Sequence, residues 1–119
     1  MTDIMDRIDL FQELGMITFD DKQDLLVLVD ILQTELKIKI TEENGGILVT
    51  HVAAMFKRNK TGEDVGALDE SVIKELVENE FYKESTEVLE TIILKIENEV
   101  SELEKNYLLL HLCTLLSTK

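Results

Sequence analysis

Proline, the residue least tolerated inside a helix, is missing from all 119 positions of this chain, and glycine occurs only five times. The backbone therefore has few places where a helix must stop. Hydrophobic residues make up 45% of the chain, enough to bury one core, and the length is too short for two ordinary domains. We expect an all-α fold, a compact bundle of five or six antiparallel helices that forms a single domain over residues 1–119.

The hydrophobic residues recur with the period of an α-helix and locate the expected helices. The segment EENGG, residues 42–46, is predicted to be a turn because of its paired glycines. We interpret LKIKIT before it as the end of the second helix rather than a strand. Thr18 or Asp20 is expected to cap that helix, and Asp69 and Ser101 to cap later ones. The expected helices cover about residues 3–14, 18–40, 47–58, 70–80, 85–98 and 102–116.

The negative net charge of the chain argues against partners that are themselves strongly negative. It carries 12 Lys and Arg against 25 Asp and Glu, a net charge of −13. Nucleic-acid affinity comes largely from clustered cations, so we expect no direct nucleic-acid binding and no binding to an anionic membrane. Cys113 is the only cysteine, and the apolar runs are too short to span a membrane. With no signal peptide visible, we expect a cytoplasmic protein.

The chain has two histidines, each inside an apolar run and each seven residues from a charged residue. His51 in LVTHVAAMFKR precedes Arg58, and Glu104 in ELEKNYLLLHLCTLL precedes His111. Residues seven apart on a helix differ by only about 20° in direction, so each pair shares one face of its helix. Both histidines are thus expected at the border of a contact-forming surface.

A histidine in such a position is often only a partly buried side chain with a hydrogen-bond partner. Metal binding needs three or four ligands at fixed spacing, and His51, His111 and Cys113 give no such pattern, so we expect no metal site. The chain also lacks a phosphate-binding P-loop and a presented nucleophile, and no carboxylate pair stands out among its many acids. We expect no cofactor and no enzyme activity.

Phosphorylation by another protein remains open, because a histidine accepts a phosphoryl group without catalytic machinery of its own. It needs access, a fixed ring and a nearby cation or donor for the added charge. Arg58 is a candidate partner for the phosphate, and Glu104 a candidate for orienting a ring nitrogen. The ordinary alternatives are a surface cation at a helix end for Arg58 and a capping-box residue for Glu104.

Two segments carry a resemblance to a known family. ILVTHVAAMFKR resembles the first signature of the PTS regulation domain, in which a helix carries leucine, histidine, an apolar pair and then arginine. VSELEKNYLLLHLCTLL resembles the second signature, with an acidic helix start, a glutamate, an aliphatic run and histidine-leucine. Their order and separation also fit, and the resemblance covers about residues 25–116.

The resemblance implies an all-α regulatory domain like those of bacterial transcriptional antiterminators and activators. Its phosphorylation sites would be His51 and His111, supported by Arg58 and Glu104 at the matching signature positions. The phosphoryl donors would be the phosphocarrier HPr or enzyme II components of the sugar phosphotransferase system. Phosphorylation would reorganise a homodimer interface and so control an effector.

The resemblance also leaves alternatives. Antiterminators carry an RNA-binding module before tandem domains of this type, whereas this chain offers one domain and a charge unsuited to RNA, so it looks like a stand-alone member. Transcription or a partner protein would then be controlled indirectly. A non-phosphorylated helical module for protein–protein interaction, or a small-molecule sensor between helices, would also fit the helical pattern.

Overall fold

The computed structural model describes residues 4–118, which form six helices without a strand. The predicted all-α fold is therefore confirmed. Residues 1–3 and 119 lie outside the described part of the chain. The predicted domain includes them, and the predicted start of the first helix, at about residue 3, falls among them. The helices are α1 Ile4–Glu13, α2 Phe19–Leu36, α3 Glu42–Thr61, α4 Glu70–Glu78, α5 Tyr82–Lys95 and α6 Glu102–Ser117.

Helix α2 begins as predicted but ends early. The Thr18 hydroxyl accepts from the Asp21 backbone N–H at 3.1 Å, and the Asp21 carboxylate accepts from the Thr18 N–H at 3.0 Å, a complete capping box. The predicted continuation to residue 40 is wrong: Lys37 adopts a left-handed conformation with φ 56°, and the chain leaves the helix there. This turn lets Ile40, 1% exposed, enter the core.

The EENGG segment is helix, so its prediction as a turn is wrong. Thr41 caps α3 reciprocally with Asn44, and the helix continues through Gly45 and Gly46. The glycines serve close packing rather than chain reversal. A Cβ at Gly45 would collide with the side chain of Ile40, whereas one at Gly46 would meet only ordinary contacts.

The core is shared by all six helices. Helix α5 packs between α2 and α6, α1 packs on α3 and α2, and α3 contacts α6. Burial of their apolar faces is the main stabilising term of such a fold. Helix α4 contributes less, because only Leu76 among its residues is fully buried. The contact between α3 and α6 brings the two histidine-bearing helices together.

A cluster of buried polar groups connects the N-terminal turns of α2 to the loop between α5 and α6. The Asp24 carboxylate accepts from the backbone N–H of Glu97 at 3.0 Å and of Asn98 at 2.8 Å. Asp21 accepts from Lys60 at the end of α3 and from the Asn98 side chain. Burial alone would raise the pKa of Asp21, but the hydrogen bonds from Lys60, the Thr18 backbone N–H and the Asn98 side chain, with the charge of Lys60, outweigh it. The pKa of Asp21 therefore lies below its ordinary value. The cluster fixes the loop that leads directly into α6.

Candidate functional site

The two histidines meet where α3 and α6 pack together. The ring centroids of His51 and His111 are 5.2 Å apart, with their planes tilted by 48°. Both side chains are partly exposed rather than sealed in the core. The helix faces expected from the seven-residue spacings therefore converge on one accessible patch.

Glu104 joins the two predicted residue pairs into one network. Its Oε1 lies 3.0 Å from His51 Nε2, while its Oε2 accepts from Arg58 Nε at 3.0 Å and Nη2 at 2.8 Å. The Glu104 side chain is only 3% exposed, and these contacts satisfy a carboxylate that would be costly to bury alone. The predicted supporting residues thus touch each other and His51; their role toward a phosphoryl group stays a prediction.

The Glu104 contact determines which nitrogen of His51 carries a proton. A carboxylate paired with a guanidinium accepts hydrogen bonds and does not donate them, so we assign the proton to His51 Nε2. In the neutral ring, Nδ1 then holds the lone pair and is the nucleophilic atom. The contact with Glu104 therefore holds the ring in one orientation, and the backbone N–H of Glu104 donates to the Ser101 hydroxyl at 3.2 Å.

Tyr107 is a site residue that the sequence reasoning did not single out. Its ring stacks on His51 with centroids 5.5 Å apart and planes 19° apart. Its hydroxyl donates to the backbone carbonyl of Gly66 at 3.0 Å, which holds the ring in place. The available signal was its position one helical turn before His111, on the same face of α6.

His111 differs from His51 in its surroundings. Burial of the ring, and then the nearby charge of His51, lower the pKa of His111 below its ordinary value of 6.5. Within residues 4–118 its side chain makes a ring contact with His51 and no hydrogen bond. The His111 ring is thus predominantly neutral at neutral pH and carries a nitrogen lone pair.

A cleft of about 520 Å³ opens beside the two rings. Its floor is one face of α3, and α1 and α6 contribute the walls. Among its lining side chains Arg7 is the cation and Glu42 the anion. Arg7 Nε and Nη2 donate to Glu42 at 2.7 and 2.6 Å, and Nη1 donates to the Thr50 hydroxyl at 3.0 Å. The cleft is lined by Arg7, Glu42, Gly46, Ile47, Thr50, His51, Ala54 and His111.

Within residues 4–118, no three His, Cys, Asp or Glu side chains are grouped to hold a metal ion. Cys113 is buried, with its sulfur 3.4 Å from the Ser85 hydroxyl. No helix in the described part of the chain has the length and apolar character needed to cross a membrane.

Comparison with known proteins identifies the family of this chain. The "Uncharacterized protein YhfY" of Escherichia coli (strain K12) is 27% identical over 106 residues, covering 89% of this chain and 88% of that protein. No solved structure matches the chain. The family model described as the PRD domain matches residues 26–114, which include both histidines, Arg58 and Glu104. The chain therefore belongs to the PRD domain family, whose domains are regulatory rather than catalytic.

Proposed function

We propose that this chain is a phosphoacceptor domain of the sugar phosphotransferase system, modified on His51 and His111. The donor would be the phosphocarrier HPr or an enzyme II component, in the cytoplasm. The modification would change a homodimer interface and so control transcription or a partner protein. The observation that carries the proposal is the convergence of the two imidazoles, 5.2 Å apart, beside an open cleft.

The chemistry of the pair supports acceptance of a phosphoryl group. A neutral ring nitrogen attacks phosphorus, the bond between phosphorus and the donor breaks, and its electron pair returns to the donor. The proton on the other ring nitrogen passes to the donor or to solvent. Attack requires a lone pair, and the lowered pKa of His111 keeps its ring neutral at physiological pH. In His51 the hydrogen bond of Nε2 to Glu104 leaves the lone pair on Nδ1.

The charges around the rings support a switch. A phosphoryl group adds about −1.5 to −2 charges at neutral pH. On Nδ1 of His51 it would lie one ring width from the Glu104 carboxylate, which already binds Arg58. The new dianion would repel Glu104 and compete for Arg58, and that competition would change the contact between α3 and α6. A two-state dimer whose forms differ by a few kcal/mol would respond to such a change.

The direct test is transfer of labelled phosphate from HPr or an enzyme II component to the chain. We expect label on the wild-type protein, reduced label on His51→Ala and on His111→Ala, and none on the double variant. Circular dichroism verifies that each variant is folded. Sedimentation of the labelled and unlabelled protein then reports whether phosphorylation changes the oligomer.

Two outcomes would reject the proposal. One is a wild-type chain that takes no label from any of these donors. The other is a double variant that is labelled as strongly as wild type, which would place the acceptor elsewhere. Replacing each histidine by glutamine without effect on partner binding or stability would favour a packing role instead.

A further inference from the structure

Helix α1 lies outside the residues that match the PRD domain family, which begin at residue 26. It nevertheless forms a wall of the cleft beside the histidines, through Arg7. Its apolar face packs on α3 and α2 through Ile4, Ile8 and Phe11, so the helix is firmly seated. The side chain of Arg7 is held over α3 by contacts to Glu42 and Thr50.

We propose that Arg7 is a switchable cation, which exchanges its partner Glu42 for the phosphoryl group carried by a histidine of the cleft. This inference rests on the proposed function, because it needs a phosphohistidine. It adds to the two histidines a phosphate-binding residue on α1, a helix that precedes the residues matching the PRD domain. Arg58, the cation of the first signature, is already bound to the buried Glu104.

The donors of Arg7 allow this exchange. A guanidinium has five N–H groups, and three of those on Arg7 are used within the described residues, two for Glu42 and one for Thr50. Two N–H groups therefore remain for another acceptor. A phosphoryl dianion attracts a guanidinium more strongly than a single carboxylate does, and it accepts bidentate hydrogen bonds equally well.

Glu42 can release Arg7 at little cost. It is the first residue of α3, where the backbone N–H groups and the helix dipole stabilise a negative charge. The side chains of Arg7 and Glu42 are 36% and 23% exposed, so water can solvate the carboxylate once the pair opens. Thr50, itself anchored to the Gly46 carbonyl at 2.8 Å, keeps a contact that holds Arg7 over the cleft.

The test uses phosphoramidate, a small donor that phosphorylates histidine without a carrier protein. A ring nitrogen attacks phosphorus, the P–N bond of phosphoramidate breaks, ammonia leaves, and the ring N–H proton passes to the buffer. Titration of the ³¹P resonance then gives the pKa of the attached phosphoryl group. A neighbouring guanidinium lowers that pKa because it favours the dianion.

We expect Arg7→Gln to raise the phosphoryl pKa by roughly 0.5–1 unit, and Arg7→Lys, which keeps the charge, to give an intermediate value. Glu42→Gln, which frees Arg7, should lower it. Lys22→Gln is the matched control: it removes the cation of a different ion pair, between α2 and α1, to Asp9 at 2.7 Å, and neither residue lines the cleft. That variant should titrate like wild type.

The outcomes separate the two proposals. If the wild-type chain gives no phosphohistidine with phosphoramidate or with HPr, both the proposed function and this inference fail. If it does, but Arg7→Gln titrates like wild type, the role of Arg7 alone is overturned. Shifts of the same sign in Arg7→Gln and Glu42→Gln would likewise overturn it, because they would reflect only the loss of a structural ion pair.

Discussion

His51 and Glu104 stand on different helices, yet Nε2 of the histidine lies 3.0 Å from Oε1 of the glutamate. The same carboxylate binds Arg58 through its other oxygen. One buried acid thus fixes the orientation of a ring and the position of a cation, both on α3. The ring it orients is the one that contacts His111.

Loss of this carboxylate should destabilise the fold. Glu104→Gln keeps the shape but removes the charge that pairs Arg58, so we expect a loss of about 1–3 kcal/mol in the free energy of unfolding. Urea unfolding measures it. Glu102→Gln on the same helix is the control, since that side chain is 89% exposed and, within residues 4–118, pairs with Lys105 alone. It should change stability by less than about 0.5 kcal/mol, and an equal loss in both variants would contradict the structural role of Glu104.

The protonation of His111 should be unfavourable in the folded chain. Its pKa lies below 6.5 because the ring is buried and because His51 is close. Carbon-detected NMR titration of the ring should give a midpoint below that value. In His51→Gln the second cause disappears, and the midpoint should rise. A midpoint at or above 6.5 in the wild-type chain would disprove the expected shift.

The lowered pKa of His111 should also make the stability of the fold depend on pH. The unfolded chain binds the His111 proton more readily than the folded chain, so this residue makes stability rise with pH. Its favourable effect is complete above the unfolded pKa of about 6.5 and is lost as the pH falls from there through the folded pKa. Urea unfolding at pH 7.5 and 5 should therefore show a larger loss for wild type than for His111→Gln. Equal losses would show that His111 titrates alike in both states.

The paired glycines should respond oppositely to alanine. Gly45→Ala places a methyl group into the buried side chain of Ile40, and we expect a loss of about 1–3 kcal/mol. Gly46→Ala meets only ordinary contacts in a helix interior and should be neutral or stabilising by about 0.5–1 kcal/mol. Thermal unfolding compares the two variants. Similar losses of stability at both positions would indicate that these glycines form a chain-reversing turn and are not part of helix α3.

The buried Asp24 should control the loop before α6. Asp24→Asn replaces an acceptor oxygen with a donor, so the backbone N–H of Glu97 or Asn98 loses its partner, at a cost of about 1–3 kcal/mol. Hydrogen exchange of these two amides should become faster. Asp30→Asn, an exposed position on the same helix, is the control and should leave both stability and exchange nearly unchanged. Unchanged exchange in Asp24→Asn would contradict this role.

Two predictions about the helices are wrong because the local sequence pattern points to a different structure from the one that tertiary packing favours. Paired glycines usually indicate a turn, but here Gly45 is needed because the α2–α3 connection brings Ile40 against the helix backbone. The residues after Lys37 leave the helix even though the apolar pattern of α2 continues through them, and that pattern alone predicts helix there. Both features depend on the burial of Ile40, which a local pattern does not reveal.

The candidate site was predictable only in part. The seven-residue spacings placed His51 with Arg58 and Glu104 with His111, because helical periodicity determines the face of a residue. They did not indicate that Glu104 would bind across to α3. Nothing in the sequence indicated that Arg7 lies at the site, because it contacts Glu42 across 35 positions of the chain and belongs to neither signature.

The sequence by itself determined the helical class, the family and the faces on which the histidines lie, since propensity, period and signature are properties of neighbouring residues. Only the tertiary structure decided that Glu104 orients His51, that Tyr107 stacks on it and that Arg7 lines the same cleft. Such contacts depend on atomic separations of about 3 Å between helices. The packing of α1, α3 and α6 sets those separations, and residues distant in the chain determine that packing.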